Sequence, residues 1–303
     1  MTRVVFSGEP PPRSSFAAGR SYIPDVGRSL RPVGEKSLIR QPAVAGAFYP
    51  AEAAILRQSL AQLMQPPASM AGPRPKALIA PHAGYIYSGR VAGLAYARLA
   101  PFAEAIRRVV LLGPAHRAPV RGLALPEADR FLTPLGEVAI DQDAVRLVAG
   151  LQQVSVSAAA HAQEHSLEVQ LPFLQSALGD FTLVPLAVGD ATVEEVAEVL
   201  DVLWGGPETL IVVSSDLSHY LPYETAQKKD RDTVEKILRG ELLDSFDQAC
   251  GALPIDGLLQ AARRHGLRPK LVSQCNSGDT AGDRRRVVGY AAIEFLEGGD
   301  GER

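Results

Sequence analysis

Two cysteines, one tryptophan and three methionines in 303 residues leave this sequence poor in the groups that several protein classes depend on. Two thiols, Cys250 and Cys275, cannot build a disulfide framework, and reduced thiols fit a cytoplasmic setting, which is the expected localisation. No apolar run approaches the roughly 18 to 20 residues of a membrane helix, and the first residues show no apolar secretory core. Charge of neither sign accumulates: 31 Lys and Arg face 34 Asp and Glu, a net charge of −3. With no basic block interleaved with aromatics, neither nucleic acid nor membrane is an expected partner. Also missing are G-x-x-x-x-G-K-S/T, a G-x-G-x-x-G after a strand and a G-x-S-x-G elbow, which removes the anchors of nucleotide, dinucleotide and serine hydrolase chemistry. What is plentiful is apolar surface, at 46% of residues.

Composition shifts along the chain. Residues 1–39 carry Glu9-Pro-Pro-Pro-Arg-Ser-Ser and scattered arginines but few apolar anchors, so they are expected to form a flexible N-terminal extension. Residues 40–296 are expected to form one α/β domain, and residues 297–303 a disordered tail. Within that domain strand-like runs alternate with helix-like ones. Gly89–Leu99 has apolar residues at helical spacing between strands ending at Ala80 and beginning at Val109. Downstream, 166–178 reads as a helix that Pro172 interrupts, 182–188 as a strand, 193–203 as a helix and 209–214 as a strand. The span 223–265 turns helical, with Pro254 placed for the first turn of a helix over 255–264. Strands over 270–274 and 287–295 close the sheet. The fold class is therefore α/β, a mixed and largely parallel sheet flanked by helices on both faces.

Three of the apolar runs lead directly into histidine motifs: Ala77-Leu-Ile-Ala-Pro-His82, Val109-Val-Leu-Leu-Gly-Pro-Ala-His116 and Leu210-Ile-Val-Val-Ser-Ser-Asp216-Leu-Ser-His219. Runs without alternation are strands buried on both faces. Their polar motifs then fall at strand carboxyl ends, where open α/β sheets place ligand crevices. Imidazole, thiolate and carboxylate are the usual metal donors, and all three types are present. His82 and His116 follow their strands closely enough to approach a common point, Asp216 is placed to fix an imidazole tautomer, and Cys250 precedes a helix start that would lower its pKa. Each residue also has a plainer explanation. A strand-end histidine can simply be hydrogen-bonded, a cysteine can be core, Asp216 can cap a turn, and His265 reads as a helix C-terminal residue with no role. His161-Ala-Gln-Glu164-His165 matches the H-x-x-E-H signature of inverted zinc peptidases. That chemistry needs one helix through both histidines, whereas Ser166-Leu-Glu-Val reads as a helix beginning after them, so the peptidase reading is set aside.

Taken together, Gln41-Pro-Ala-Val-Ala-Gly-Ala-Phe-Tyr-Pro, Ala80-Pro-His-Ala-Gly-Tyr-Ile-Tyr-Ser-Gly, Leu112-Gly-Pro-Ala-His, Glu164-His-Ser-Leu-Glu-Val-Gln-Leu-Pro-Phe, Ser214-Ser-Asp-Leu-Ser-His-Tyr and Ala249-Cys-Gly-Ala-Leu-Pro-Ile resemble the Memo (mediator of cell motility) family. Its prokaryotic members are called AmmeMemoRadiSam system protein B. The resemblance spans Arg40 to Phe295 and implies a fold similar to class III extradiol dioxygenases, without implying dioxygenase activity. His82, His116 and Cys250 match the family's metal-binding residues. Asp216 and His219 match the neighbouring polar pair, Glu164 and His165 fall in a family motif, and His161 does not. Leu253 stands where animal members have a histidine. The resemblance implies iron or copper as cofactor, with zinc also suited to a thiol-containing set, and redox or oxygen-related chemistry on a small molecule or peptide in the pocket. His219, Asp216 and His165 are the expected catalytic groups beside the metal. A non-enzymatic adaptor using the pocket to bind a peptide or partner protein is the alternative, and the prokaryotic name implies association with radical-SAM and AMMECR-type proteins.

Overall fold

The computed structural model describes residues 37–67 and 72–298. The expected N-terminal extension falls outside the described residues except for 37–39, and so does most of the expected tail. Ile39 pairs with Arg130 in a sheet, and the last strand runs to Glu297. The elements in order are β1 (Ile39–Arg40), α1 (Ala53–Leu63), β2 (Pro75–Ala80), α2 (Tyr85–Ala97), β3 (Arg108–Pro114), β4 (Leu123–Leu125), β5 (Arg130–Thr133), β6 (Gly136–Ile140), α3 (Gln142–Val148) and β7 (Val154–Val156). They continue with α4 (Ala158–Ala162), α5 (His165–Glu168), α6 (Leu171–Leu178), β8 (Thr182–Val188), α7 (Val193–Leu203), β9 (Thr209–Ser214), β10 (His219–Leu221), α8 (Tyr223–Leu238), α9 (Ala252–Arg264), β11 (Leu267–Asn276) and β12 (Val287–Glu297).

Among the described residues the strands form one 12-stranded mixed sheet, whose path runs β1-β5-β6-β8-β3-β9-β2-β12-β10. Its centre, β6-β8-β3-β9-β2, is parallel throughout. β12 runs antiparallel to β2 and carries β11 and β10 antiparallel beside it. The central strands lack alternation because helices cover both faces. Leu78, Leu111 and Val212 point into one core with α1, α2 and α6, while Ile79, Val110 and Ile211 point into the other with α3, α7, α8 and α9. No described helix is long and apolar enough to cross a membrane.

Three expectations differ from the structure. The helix expected over 166–178 is split into α5 and α6 at Val169–Gln170, with Pro172 in the first turn of α6. A proline cannot donate to the preceding turn, so the second segment starts afresh. His219 is not in a free loop but begins β10, paired with Val288 of β12. α9 begins at Ala252, three residues before the expected start, and Pro254 lies in its first turn, where the missing N–H has no intrahelical partner to lose.

Candidate metal centre

The parallel trio β3-β9-β2 is in register at its carboxyl ends, with Ala80 opposite Ser214 and Leu112 opposite Val213. The loops after these strands therefore emerge side by side. His82 from β2 and His116 from β3 have ring centroids 5.3 Å apart, and His165 at the start of α5 lies 5.4 Å from His82 and 4.8 Å from His116. Cys250 comes from the loop before α9, a helix packed on the opposite face of the sheet from α2. The Cys250 Sγ lies 3.3 Å from the His82 Nε2. One donor atom each from His82, His116 and Cys250 lie within 4.8 Å of one another, so this group can hold a metal ion.

The approach of Cys250 depends on its neighbour. Gly251 donates its N–H to the Ser215 hydroxyl at 2.9 Å, and a Cβ on Gly251 would sit 2.7 Å from the Ser215 Cβ and 3.0 Å from the Ser214 carbonyl oxygen. Only glycine lets the loop lie this close to the strand end. The Cys250 N–H donates to the Asp216 carbonyl at 3.3 Å, which anchors the loop further.

Each histidine is held from behind. The Ser214 hydroxyl donates to the Ser166 carbonyl at 2.5 Å and accepts from the Gln170 Nε2 at 2.8 Å. Its hydrogen is thus committed, so toward the His82 Nδ1, 2.9 Å away, it can only accept. His82 must carry its proton on Nδ1, leaving the Nε2 lone pair turned toward Cys250. For His116 the same task falls to Glu164. One carboxylate oxygen accepts from the His116 Nδ1 at 3.0 Å and the other from the His116 backbone N–H at 2.5 Å. The first oxygen also takes the Ser166 N–H at 2.9 Å, so Glu164 caps α5 at the same time. A carboxylate behind a ligand imidazole fixes its orientation and raises its basicity. Glu164 is a site residue to which the sequence reading gave no task. Its spacing two residues before Ser166 is a helix N-cap signal and was the available clue.

Asp216 does not orient a ring, as was expected of it. Its Oδ1 accepts the backbone N–H of His82 at 2.8 Å and of Ala83 at 3.3 Å, so it shapes the loop that carries His82 while Ser214 sets the tautomer. Burial raises the Asp216 carboxyl to about 7, against the two amide donors that lower it. The helix-start expectation for Cys250 also fails. Burial, joined by the Asp216 charge, pushes the thiol up to about 12, because desolvation outweighs the N–H groups of the loop. The thiol is therefore protonated, with the His82 lone pair at 3.3 Å and the Asp216 carbonyl oxygen at 3.7 Å as acceptors for its hydrogen. Burial, then the nearby His165 and His116 rings, hold His82 well below the ordinary range, and burial lowers His165 to about 4. Burial also lowers His219. On Glu164 burial acts upward, but the His116 and Ser166 hydrogen bonds together outweigh it and leave the carboxyl at about 2, ionised.

The remaining histidines separate cleanly. His165 and His219 line the same cavity of about 940 Å³ as the donor group. The His165 Nδ1 lies 3.4 Å from Glu164 Oε1 without the geometry of a hydrogen bond. His161 sits in α4, apart from His165 in α5, with its Nε2 against the Ala124 carbonyl at 2.8 Å. The single helix that an H-x-x-E-H site needs is absent. His265 closes α9, stacks on Trp204 at 3.7 Å and pairs with Asp201, far in sequence from the motifs above.

The donor set tests well against a metal ion. With metal–sulfur and metal–nitrogen bonds of about 2.3 and 2.05 Å, tetrahedral angles place sulfur and nitrogen roughly 3.6 Å apart. The observed 3.3 Å between Cys250 Sγ and His82 Nε2 needs only a small opening. The thiol proton occupies the place an ion would take.

An α/β sheet with two imidazoles and a thiol converging at its strand ends is the class that fold and site define. The chain belongs to the Memo-like protein family, whose family model matches residues 40–294. A MEMO1 family protein of Methanococcoides burtonii is 39% identical over 269 residues, covering 84% of this chain and 99% of its own length. Similar matches are MEMO1 family proteins of Aquifex aeolicus, 36% identical over 85% of this chain, and Aeropyrum pernix, 37% identical over 84%, each covered to 99%. Among solved structures, an uncharacterized protein from Escherichia coli K12 aligns over 74% of this chain and 100% of its own at 14% identity, with a TM-score of 0.48.

Proposed function

We propose that the protein binds one metal ion, iron or copper, through His82, His116 and Cys250, and carries out redox or oxygen-related chemistry on a small ligand in the adjoining pocket. The observation behind this reading is the Cys250 Sγ at 3.3 Å from a His82 nitrogen whose lone pair is forced toward it. Imidazole and thiolate suit iron, copper and zinc, and an ion held by three groups on one side would supply open coordination positions and a Lewis-acid or redox centre. Around it the protein's own groups have separable tasks. Glu164 and Ser214 orient the two rings, and Asp216 fixes the His82 loop. His219, half-buried on the cavity wall and lowered by burial, is neutral near pH 7 and free to accept a proton from a ligand. His165 lies against the donor group as a second neutral base.

Elemental analysis of protein purified without oxygen or chelator is expected to find close to one ion per chain, lost in a His82→Ala, Cys250→Ser double variant. Because the thiol is protonated and His82 is not, ion uptake by metal-free protein at pH 8 should release about one proton from Cys250. Unchanged metal content in the double variant would refute the ligand assignment. The exposed Phe246 and Tyr220 at the cavity rim support a second reading, a peptide or partner-protein adaptor. That reading requires partner affinity to be equal in metal-free and metal-loaded protein. Association with radical-SAM and AMMECR-type proteins is part of the proposal and is tested by co-purification.

A further inference from the structure

Arg40 sits in β1 at the edge of the sheet, and its side chain is buried. Its guanidinium lies over the Phe131 ring, 5.3 Å from the centroid, and Phe131 is also its partner in the pairing of β1 with β5. The N–H groups point at one short stretch of chain. Nε donates to the His161 carbonyl at 3.0 Å, one terminal nitrogen donates to the Glu164 carbonyl at 2.7 Å, and the other pairs with the Glu168 carboxylate. These acceptors lie in α4, at the N-cap of α5 and at the end of α5.

That stretch cannot hold its own shape. α4 has five residues and α5 four, and helices so short are not stable by themselves. Between them Glu164 has extended backbone, with φ −79° and ψ 124°, so the geometry of the junction has to be imposed from outside. Glu168 is held in turn. Its carboxylate accepts the Ala43 N–H at 2.7 Å, the Val44 N–H at 3.0 Å and the Tyr49 hydroxyl at 2.5 Å. The loop fastened this way brings Phe48 against the His165 ring, with centroids 4.9 Å apart. The turn that bears Glu164 is therefore gripped twice, at its backbone by Arg40 and at the next residue by Phe48.

The effect is felt in the metal centre, although Arg40 does not line the cavity. Glu164 accepts from the His116 Nδ1 at 3.0 Å, which orients the ring and leaves its Nε2 for an ion. Where the Glu164 backbone sits decides whether that bond can form. A buried ion pair adds little net stability, because lost hydration offsets the attraction, whereas the rigid fork of an arginine fixes direction.

We infer that Arg40, anchored by Glu168, is a positioning residue for the metal centre: by holding the Glu164 backbone it sets the hydrogen bond that orients His116. The inference rests on the metal reading for its ion-binding consequence alone.

The test is Arg40→Lys, whose single ammonium keeps a charge beside Glu168 but cannot spread donors over both carbonyls and the carboxylate. In metal-free protein, nitrogen-15 ring shifts of His116 should move from an Nδ1–H pattern in the parent to a mixture of tautomers in the variant. Zn²⁺ affinity, measured against a chromophoric chelator, should fall about tenfold, the lower end of what outer partners of ligand histidines contribute. In a Glu164→Ala background the same substitution should change Zn²⁺ affinity by less than about twofold, since the group through which Arg40 acts is gone. A merely structural arginine would lower stability in both backgrounds and leave the His116 pattern in place. A variant folded by circular dichroism that keeps the parent's His116 shifts, or Zn²⁺ affinity within about twofold, would overturn the inference, as would a tenfold loss that persists without Glu164. If Arg40→Lys does not fold, the neutral pair Arg40→Met, Glu168→Gln, which leaves no buried charge alone, carries the same readouts. Parent protein that binds no Zn²⁺ while the His116 shifts still respond to Arg40→Lys removes the metal reading and upholds this one.

Discussion

Ser214→Ala gives the sharpest test of how the site is built. The Ser214 hydroxyl is fully buried and serves three groups: it accepts from the His82 Nδ1 and the Gln170 Nε2 and donates to the Ser166 carbonyl. Gln170 keeps a second acceptor, the Pro81 carbonyl at 3.0 Å, so its loss is partial. The His82 N–H and one Ser166 lone pair are left without that partner, at a position buried from solvent. At about 1 to 3 kcal/mol for each of the two groups left unsatisfied, the variant should be destabilised by about 2 to 6 kcal/mol. The second consequence is chemical. With nothing behind Nδ1 the imidazole proton can move to Nε2, and the lone pair facing Cys250 is lost. Outer partners of ligand histidines typically contribute 10- to 100-fold in metal affinity, so competition for Zn²⁺ against a chromophoric chelator should show a loss of about that size. Nitrogen-15 imidazole shifts report the tautomer directly, with an Nδ1–H form at His82 expected in the parent protein. A variant that unfolds more easily yet binds Zn²⁺ within about threefold of the parent would show that the hydroxyl packs the core without setting the tautomer.

Two further substitutions probe neighbouring groups. Asp216 holds its proton more tightly folded than unfolded, its pKa raised from 3.8 to about 7, so its stabilising contribution is complete below about pH 4 and disappears as pH rises through 7. Asp216→Asn retains an oxygen for the two amides but does not titrate. In metal-free protein its stability relative to the parent should rise between pH 4 and 7, by at most about 4 kcal/mol, and urea unfolding at pH 5 and 8 measures this. Parallel pH profiles for the two proteins would contradict the buried position of that carboxyl. Gly251→Ala places a methyl 2.7 Å from the Ser215 Cβ, so the Cys250 loop must lift from the strand end. A destabilisation of about 1 to 3 kcal/mol and weaker Zn²⁺ binding are expected, and affinity equal to the parent's would mean that the loop tolerates the shift.

Which parts of this were legible in sequence follows from burial. β8, α7 and β9 have the bounds expected of them, because strands covered on both faces are written as unbroken apolar runs and α7 has an amphipathic pattern with Thr192 and Glu195 closing a capping box. β1, β4, β5, β6 and β7, of two to five residues, went unread, since so short a segment has too few residues to show a period. In the site, His82, His116 and Cys250, which the structure brings together, were legible as candidate donors, the histidines from strand-end position and Cys250 from residue type and a helix start nearby, with the set as a whole implied by the resemblance. The state of the thiol was not. A helix start is visible in sequence, but the depth at which Cys250 lies beside Asp216 is a tertiary fact, and desolvation decided the sign. Within Ser214-Ser-Asp216 the sequence offered three polar groups and no means of telling which one meets the ring and which one meets the loop.

The two histidines are held by unlike partners, and the difference sets the charge of the site. Ser214 is neutral, whereas Glu164 is ionised, with its carboxyl at about 2. An ion that displaces the Cys250 proton would therefore face two negative charges, the thiolate and Glu164. A divalent ion balances them. A monovalent ion such as Cu(I) leaves one uncompensated negative charge next to a carboxyl, Asp216, that burial already makes hard to ionise. Uncompensated buried charge is expensive, so the electrostatics favour a divalent ion. Sulfur's softness pulls the other way, toward Cu(I). Asp216 would mediate between the two if an ion were bound: protonated it would make a monovalent state tolerable, and ionised it would offset a third positive charge. A proton moving at Asp216 would then compensate a change in the ion's charge, which is what the redox reading proposed above requires and a purely structural metal site does not.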